Sequence, residues 1–342
     1  MVLMHQSYRS IFRGKHVLMK LKTPHSLFAF ASLFAFAGLS PAQSFNADAD
    51  PKFSDDAKVE AQARKDKIEA ELKTLGNHPW AGVYHYGDGL GVNVSLYMAP
   101  EGGFVFEWHG CGGLYDRNFG TVLQDGPLLK LTPKYSNERG GLEGIATEFF
   151  PVPWGARHYL IASDEFVRFC NAVNSGREPM LARLGGSFLL KNGDEKIDVT
   201  GMPAIPEKYR CYLPEKPIEA RIVKISASDS KQGGDDMRMR IAVTLDAGRD
   251  QGLLPGMEMY VISPKDVMLA SIEIVAVGET QSEASVRRFS SSEKVPQLLW
   301  KLSTRAPWAD GMRKMRMKQR DAETKAAETK TSAGTDTGAG AD

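Results

Sequence analysis

The chain has 342 residues, with 43 lysines and arginines against 42 aspartates and glutamates, a formal net charge of +1 and an apolar fraction of 42%. This balance indicates neither the basic surface of a nucleic-acid-binding protein nor a trap for acidic substrates, and the apolar fraction is that of an ordinary globular protein. We therefore expect no nucleic-acid partner.

The amino terminus, residues 1–42, has the three-part layout of a secretory signal peptide. Basic residues precede the apolar run LFAFASLFAFAGL at 27–39, and small residues before Gln43 suit cleavage there. The apolar run is shorter than the roughly 20 residues that a spanning helix needs, and an uncleaved anchor is the alternative. We expect an exported protein, periplasmic or secreted, without an integral membrane span after cleavage. Either Met1 or Met19 can be the start.

Residues 43–79 are predicted to form a helical lead segment. The stretch from Asp55 to Leu75 is rich in Ala, Glu, Lys and Asp, and Ile68, Leu72 and Leu75 fall on one helical face. Gly76 supplies a helix stop signal. The segment should be one helix packed on the domain that follows.

Residues 80–213 show short alternating apolar runs separated by Gly, Pro, Asn and Asp, the pattern of an antiparallel sheet. This predicts a β domain, either an antiparallel meander or a partial barrel. One short helix is expected from the Ser cap at 163 to the terminal Gly176, with Cys170 on its core face. The predicted strands are Val92–Met98, Phe104–His109, Leu128–Leu131, His158–Ala162 and Ser187–Leu190.

The three cysteines have to be interpreted in the light of export. In an oxidising compartment two of them should pair, and a disulfide between Cys170 and Cys211 is our choice among three possible pairings. Closing so long a loop would contribute about 4 kcal/mol in the chain-entropy account. A buried, inert thiol at Cys170 is the competing interpretation.

Residues 214–305 carry a second set of short strands, which suits a small β-barrel because closure removes exposed edges. The predicted strands are Ala220–Ile225, Met239–Leu245, Met257–Ile262, Ala270–Val277 and Glu283–Val286.

One part of this second domain has a family resemblance. The turn GRDQGLLPG at 248–256, followed by strand sequence at 257–261, Ile272–Val275 and Glu283–Val286, resembles the small SH3-like barrels appended to bacterial envelope proteins. The resemblance covers residues 218–289 only and implies an adaptor or structural part without catalytic residues. No family is identified for residues 80–213.

The strands at 92–98 and 104–109 can be placed in register. If Met98 faces Phe104, the residue numbers of every opposed pair sum to 202. Because side chains alternate along a strand, one face of the hairpin is then apolar. The other face then carries Ser95 opposite Glu107 and Asn93 opposite His109. Cys111 follows on the same face if the strand runs that far, opposite Gly91. These residues form a predicted polar cluster, typical of a binding cleft or a wet outer surface.

That cluster contains the candidate catalytic residues, namely Cys111, His109 and Glu107. A cysteine nucleophile beside a histidine base needs close contact and a lowered thiol pKa, and the nearby glycines look more like a bulge or turn than an oxyanion hole. We therefore assign no catalytic residue. The candidate binding residues are Asn93, Ser95, Glu107, His109 and Trp154.

No metal site or cofactor is expected. His78, His85, His109 and Cys111 with Asp88 include zinc-ligand types, but no spacing among them matches a zinc signature. Trp154 is a candidate because it lies in the aromatic and proline stretch Phe149–Gly155, which we predict to be an exposed loop that contacts a partner or covers the mouth of a barrel.

Residues 306–342 are charged and then rich in Gly, Thr and Ala, which predicts a disordered tail. Taken together, the pattern predicts a mainly β protein with two β-rich domains, an N-terminal helix and one internal helix. The leading hypothesis is an exported, soluble cell-envelope protein that acts as a non-catalytic binding or structural module, with an envelope protein or small ligand as partner. The alternatives are a hydrolase or metal-dependent enzyme centred on Glu107, His109 and Cys111, and a carrier of an apolar ligand in the first β domain.

Overall fold

The structure is a computed structural model. The residues that it describes are 50–87, 92–139, 142–177, 179, 188–199, 201–226, 239–264, 267, 272–288, 295–311, 314, 315, 318 and 322. The signal peptide at 1–42 lies outside them and stays a prediction.

The chain is mainly β, as predicted, and contains two closed barrels. The first barrel has eight strands in the order β1-β10-β9-β8-β5-β4-β3-β2, so the domain described as a meander or partial barrel is fully closed. Its strands, with the small hairpin β6–β7, are β1 Gly82–Gly87, β2 Val92–Ala99, β3 Gly103–Gly110, β4 Gly113–Asp125, β5 Leu128–Pro133, β6 Glu138–Arg139, β7 Leu142–Glu143, β8 Glu148–Trp154, β9 Arg157–Ala162 and β10 Phe188–Lys191.

Large side chains from alternate strand positions fill the interior of the first barrel. The predicted pairing of β2 with β3 is confirmed from Met98–Phe104 to Val92–Gly110, and its apolar face points inward. Interior side chains that are at most 4% exposed include Tyr84, Leu96, Met98, Phe104, Phe106, Leu129, Leu131, Phe149, Leu160 and Leu189. The interior is therefore a packed core, as in other small closed barrels.

The predicted N-terminal helix, α1 (Asp55–Leu75), lies on the outer face of β2, β3 and β4. Ser54 caps it, because the Ser54 hydroxyl accepts a hydrogen bond from the Ala57 N–H. Ala57, Ala61 and Ile68 are buried against Val105 and neighbouring side chains of the sheet. The outer face of this hairpin is thus covered by a helix over part of its length.

The internal helix, α2 (Phe166–Ser175), packs on the outer face of β8, β9 and β10. It ends at Gly176, as predicted, in a left-handed conformation. Its start differs from the prediction, because Glu165 occupies the cap position and the Ser163 hydroxyl bonds the Glu148 carboxylate instead. Phe169 and Cys170 are buried beneath the helix.

The second barrel has six strands in the order β11-β12-β15-β14-β13-β16. A small barrel is confirmed, while its kinship to SH3-like modules stays a prediction. The strands are β11 Glu219–Ile225, β12 Met239–Leu245, β13 Glu258–Ser263, β14 Ile272–Val277, β15 Ser282–Arg288 and β16 Lys301–Ser303. The sequence missed β16, which closes the barrel between β11 and β13.

Helix α2 also contacts the second barrel. The amide of Asn171, which is 5% exposed, donates to the Gly256 carbonyl at 2.8 Å and accepts from the Glu258 N–H at 3.1 Å. Close by, the Arg177 guanidinium lies 4.9 Å from the Trp308 ring and 5.6 Å from the Tyr260 ring. We call this set of contacts the joint. It holds the two barrels together through polar and cation–π contacts.

Two expectations about loops need correction. The stretch predicted as an exposed aromatic and proline loop is strand β8, in which Trp154 is 8% exposed and donates to the Gly201 carbonyl. In the predicted disordered tail, the described residues 309–311, 314, 315, 318 and 322 are helical. Among the helices that the structure describes, none has the length and apolar character needed to cross a bilayer.

Candidate functional site

The structure brings the predicted polar cluster together on the outer wall of the first barrel. Ser95 pairs with Glu107, and Asn93 pairs with His109, as the register predicted. On either side of Ser95–Glu107 the same cross-strand row continues with His85 on β1 and Arg117 on β4. The cluster therefore lies on a convex wall beside α1, and its chemistry depends on what α1 and β4 bring to it.

Glu107 is the centre of an ion-pair network in this row. Its carboxylate lies 3.2 Å from Arg117 Nε, 3.7 Å from Lys65 Nζ and 3.7 Å from His109 Nε2. Burial lowers the pKa of Lys65, but the hydrogen bond that its ammonium group donates to Tyr97 and the charges of neighbouring groups, Glu107 among them, outweigh burial, so the pKa is raised. The Glu107 carboxylate is therefore already engaged by two cations and a histidine ring, and it would have to leave these partners before it could bind a metal or a substrate.

The tip of the hairpin is shaped by Tyr115, which lies across the glycines. A side chain at Gly110 would meet the Tyr115 ring at 2.1 Å, and the Tyr115 hydroxyl accepts a hydrogen bond from the Gly112 N–H at 3.2 Å. The strand pairing ends at Gly110–Gly113, with a register shift between Trp108 and His109, so Cys111 lies exposed in the turn. The predicted bulge and turn are confirmed. The Gly112 N–H, which an oxyanion hole would need, is already bonded.

The histidines considered as metal ligands are spread along the wall. His78 precedes β1 at the end where Gly82 pairs with Met98, and its Nδ1 accepts a hydrogen bond from the Ala81 N–H at 3.0 Å. His109 pairs with Asn93, five residues from Met98 and therefore about 17 Å away along the strand. Asp88 lies outside the described residues. No group of three or more His, Cys, Asp or Glu side chains suited to a metal occurs among the residues described.

The predicted disulfide between Cys170 and Cys211 is wrong for this structure, in which all three cysteines are unbridged thiols. Cys170 is buried under α2, whereas Cys211 is exposed on the 3-10 helix Glu207–Tyr212, with its thiol 3.7 Å from the Lys208 carbonyl. Burial, with a smaller effect from Cys211, raises the pKa of Cys170 to about 12. The competing interpretation, a buried and inert thiol, is the one that fits.

Iodoacetamide under native conditions at pH 8 should therefore alkylate Cys111 and Cys211 but leave Cys170 unmodified until the protein is denatured. The reason is that the thiolate is the reactive form and a pKa raised to about 12 leaves almost none of it. The raised pKa also means that burial of this neutral thiol stabilises the fold below pH 8.5 or so, and that this contribution is lost as pH rises toward the folded-state value.

Intact-mass analysis of the unreduced protein measures this directly. Two adducts in the native state and a third after denaturation are expected. A single adduct in both states, with a mass lower by two hydrogens, would instead establish the bridge between Cys170 and Cys211.

A histidine–carboxylate pair that the sequence analysis missed lies at the edge of the first barrel. His158 Nδ1 is 2.9 Å from Asp194 Oδ2, and the same oxygen accepts the His158 backbone N–H at 2.6 Å. Next to it, the buried Arg157 donates to the Ile197 carbonyl at 2.5 Å. These bonds fasten the 3-10 helix Asp194–Lys196 to β9. Within the described part of the chain, no hydroxyl or thiol is hydrogen-bonded to His158, so the pair positions backbone and lacks a nucleophile.

A cavity of about 30 Å³ lies at the joint, between Arg168, Asn171, Arg177, Glu258 and Tyr260. The volume suffices for one or two water molecules. The surrounding groups are engaged with one another, since Tyr260 donates to Glu258 at 2.9 Å and Arg168 pairs with Glu165 at 2.7 Å. The cavity is therefore a gap in a structural contact, too small for a substrate.

Comparison with known proteins gives no relative: no protein-family model matches the chain, and neither a curated protein nor a solved structure matches it.

Proposed function

We propose that the chain is an exported, non-catalytic binding or structural protein of the cell envelope, in which two β-barrels are held in a fixed relation by α2. The joint is the observation that carries the proposal. The buried amide of Asn171 donates one hydrogen bond to the backbone of the second barrel and accepts another from it, and Arg177 lies over the rings of Tyr260 and Trp308. Such contacts serve to orient two surfaces relative to each other, which is what an adaptor needs.

The candidate residues at the hairpin support the same proposal. Glu107 contacts Lys65, Arg117 and His109, and the Gly112 N–H is bonded to Tyr115. An enzyme built on this hairpin would have to dismantle these bonds before it could act. The resemblance of residues 218–289 to SH3-like envelope modules and the signal peptide predicted at 1–42 agree with an envelope role.

The carrier hypothesis receives less support from the packing. Phe104, Leu96 and Met98 are 0% exposed and lie inside the first barrel with the other interior side chains. An apolar ligand could enter only if several of them moved, at a cost that close-packed interiors make high.

The test combines fractionation with an activity screen. The protein from the producing cell should appear in the exported fraction with Gln43 as its first residue, and retention inside the cell with residues 1–42 intact would contradict export. Purified protein should not turn over ester, peptide, glycoside or phosphoester substrates in a way that depends on the hairpin. A turnover that Cys111→Ser or His109→Ala abolishes would contradict the non-catalytic role, provided that both variants keep the wild-type melting temperature.

A further inference from the structure

A turn in the second barrel exposes two leucines to solvent. The Trp300 N–H donates to the Gln297 carbonyl at 3.4 Å, so Leu298 and Leu299 are the central residues of a β-turn. Leu298 is 57% exposed and Leu299 is 70% exposed. Leu299 has a φ of 66°, a conformation that suits Gly or Asn at this turn position and is strained for leucine. A strained, exposed leucine contributes little to folding, which directs attention to a role outside the isolated fold.

Other apolar side chains lie beside this turn. The Leu299 N–H donates to the Ile222 carbonyl on β11, which places the turn next to the exposed end of that strand. There Val223 is 39% and Ile225 is 37% exposed, and Val295 just before the turn is 52% exposed. If the Arg221–Lys301 register is continued, Val223 falls opposite Leu299, so the turn and the strand carry adjacent exposed apolar side chains. Ile225 pairs with the core residue Val243 and marks the end of the strand.

Cations border this surface. Arg221 on β11 lies directly opposite Lys301 on β16, and Lys224 is exposed between Val223 and Ile225. Like charges in opposed positions of a sheet repel each other unless an anion lies nearby. Two carboxylates are in the vicinity, Glu219 two positions back along β11 and Asp246, which accepts the Arg221 backbone N–H at 2.6 Å. Both lie on the side away from the leucine turn, so the apolar surface itself is bordered by positive charge.

We propose that this surface, which we call the leucine-turn patch (Arg221, Val223, Lys224, Ile225, Val295, Leu298, Leu299 and Lys301), docks on an anionic phospholipid bilayer. The apolar tips enter the interface between headgroups and acyl chains, and the three cations contact the lipid phosphates. A bilayer is favoured over an acidic protein because the apolar side chains project outward and need a surface that yields around them. The inference rests on the proposed function, since an envelope protein meets such membranes.

Hydrogen exchange of the full chain, with and without vesicles, tests the patch segment by segment. A peptide-resolved readout is needed because the apolar run at 27–39 could hold an unprocessed chain on any vesicle. Vesicles of phosphatidylcholine with 30% phosphatidylglycerol should protect the backbone at 219–226 and 295–303, and pure phosphatidylcholine vesicles should protect it much less. The same protection with both vesicles, or none with either, would overturn the proposal and leave the fractionation and activity tests of the proposed function untouched.

Matched variants separate binding from folding. Leu298→Ser should weaken binding to anionic vesicles by about ten-fold, because a leucine leaves the interface. Lys301→Glu should weaken it by more than the roughly five-fold expected for loss of one cation. Leu123→Ser replaces a leucine that is 64% exposed on β4 and should leave binding unchanged.

Leu299→Gly should lose binding while the melting temperature stays constant or rises, because the strain in the turn is relieved. Equal loss in Leu123→Ser and Leu298→Ser would contradict the patch. A concentration-dependent dimer that Leu298→Ser dissociates, without lipid protection, would assign the surface to a second copy of the chain.

Discussion

Replacement of Lys52 by methionine is expected to lower the free energy of unfolding by about 3 to 5 kcal/mol, the range found when one partner of a buried ion pair is removed. The Lys52 side chain is 1% exposed, and its Nζ lies 3.0 Å from Oδ1 of Asp116, which is 4% exposed. Without the ammonium group, the partner that the described residues leave to the Asp116 carboxylate is the Arg117 N–H at 2.9 Å, which carries no full charge. Most of the loss of stability therefore comes from leaving the buried Asp116 carboxylate without its cation.

Chemical denaturation monitored by hydrogen exchange of β4 measures the effect, since this strand carries Asp116. Lys58→Met makes the same change at an exposed position of α1 and should stay within about 0.5 kcal/mol of wild type. The double variant with Lys52→Met and Asp116→Leu should recover most of the loss, because an apolar pair of similar volume replaces the ions. A single Lys52→Met variant as stable as the Lys58→Met control would show that the pair contributes nothing.

This ion pair also explains why the longest strand could not be predicted. The inward positions of β4 opposite Trp108, Phe106 and Phe104 are Asp116, Asn118 and Gly120, which are residues depleted in strands. Asp116 is tolerated because Lys52 arrives from a segment 64 positions away. Gly120 is required because a side chain there would meet the Thr132 carbonyl at 1.9 Å. Both residues are explained by tertiary contacts, which cannot be inferred from the alternation of apolar and polar residues in the sequence.

The elements that were predicted well carry their own local signals. Alternation in β2 and β3 fixed their register to the residue, since a shift by one would have turned Phe104 and Phe106 to the outside. Helix α1 has its cap at Ser54 and its stop at Gly76, both within the segment itself. Strand β8 lacked such a signal because of Pro151 and Pro153. Strand β8 pairs with β5 only at Glu148 and Phe149. The two prolines lie beyond this pairing, where no backbone N–H has to donate to β5.

For the candidate site, the residues that share a face could be predicted, but the contacts that other elements make with them could not. Register alone placed Ser95 with Glu107 and Asn93 with His109 on one face. Whether that face was a cleft or an ion-paired wall depended on Lys65 and Arg117, which come from α1 and from the unpredicted β4. The joint was missed for a similar reason, because Asn171 reads in sequence as one more polar residue of a short helix.

That joint leads to the second large effect. Asn171→Ala is expected to cost about 2 to 4 kcal/mol, because the Gly256 carbonyl and the Glu258 N–H lose their partner in a site that is 5% exposed. The two barrels should also lose their common unfolding transition. Differential scanning calorimetry should show one transition for wild type and two separated transitions for the variant, since each barrel retains its own core.

Asn174→Ala is the matched control on the same helix. Its amide donates to the Tyr212 carbonyl at 2.8 Å. The Tyr212 hydroxyl in turn donates to the Pro255 carbonyl of the second barrel at 3.1 Å, so the Asn174 amide reaches that barrel indirectly. It is only partly buried, so its loss should cost about 1 kcal/mol and leave a single transition. If Asn171→Ala behaves like Asn174→Ala, the contacts that remain, which include Arg177 with Tyr260 and Trp308 and Tyr212 with Pro255, are enough to couple the barrels, and the buried amide is dispensable. If it separates the transitions, one side chain sets the angle at which the leucine-turn patch is presented by the rest of the protein. A vesicle-bound Asn171→Ala variant would then keep its protection at 295–303 while the first barrel becomes free to reorient.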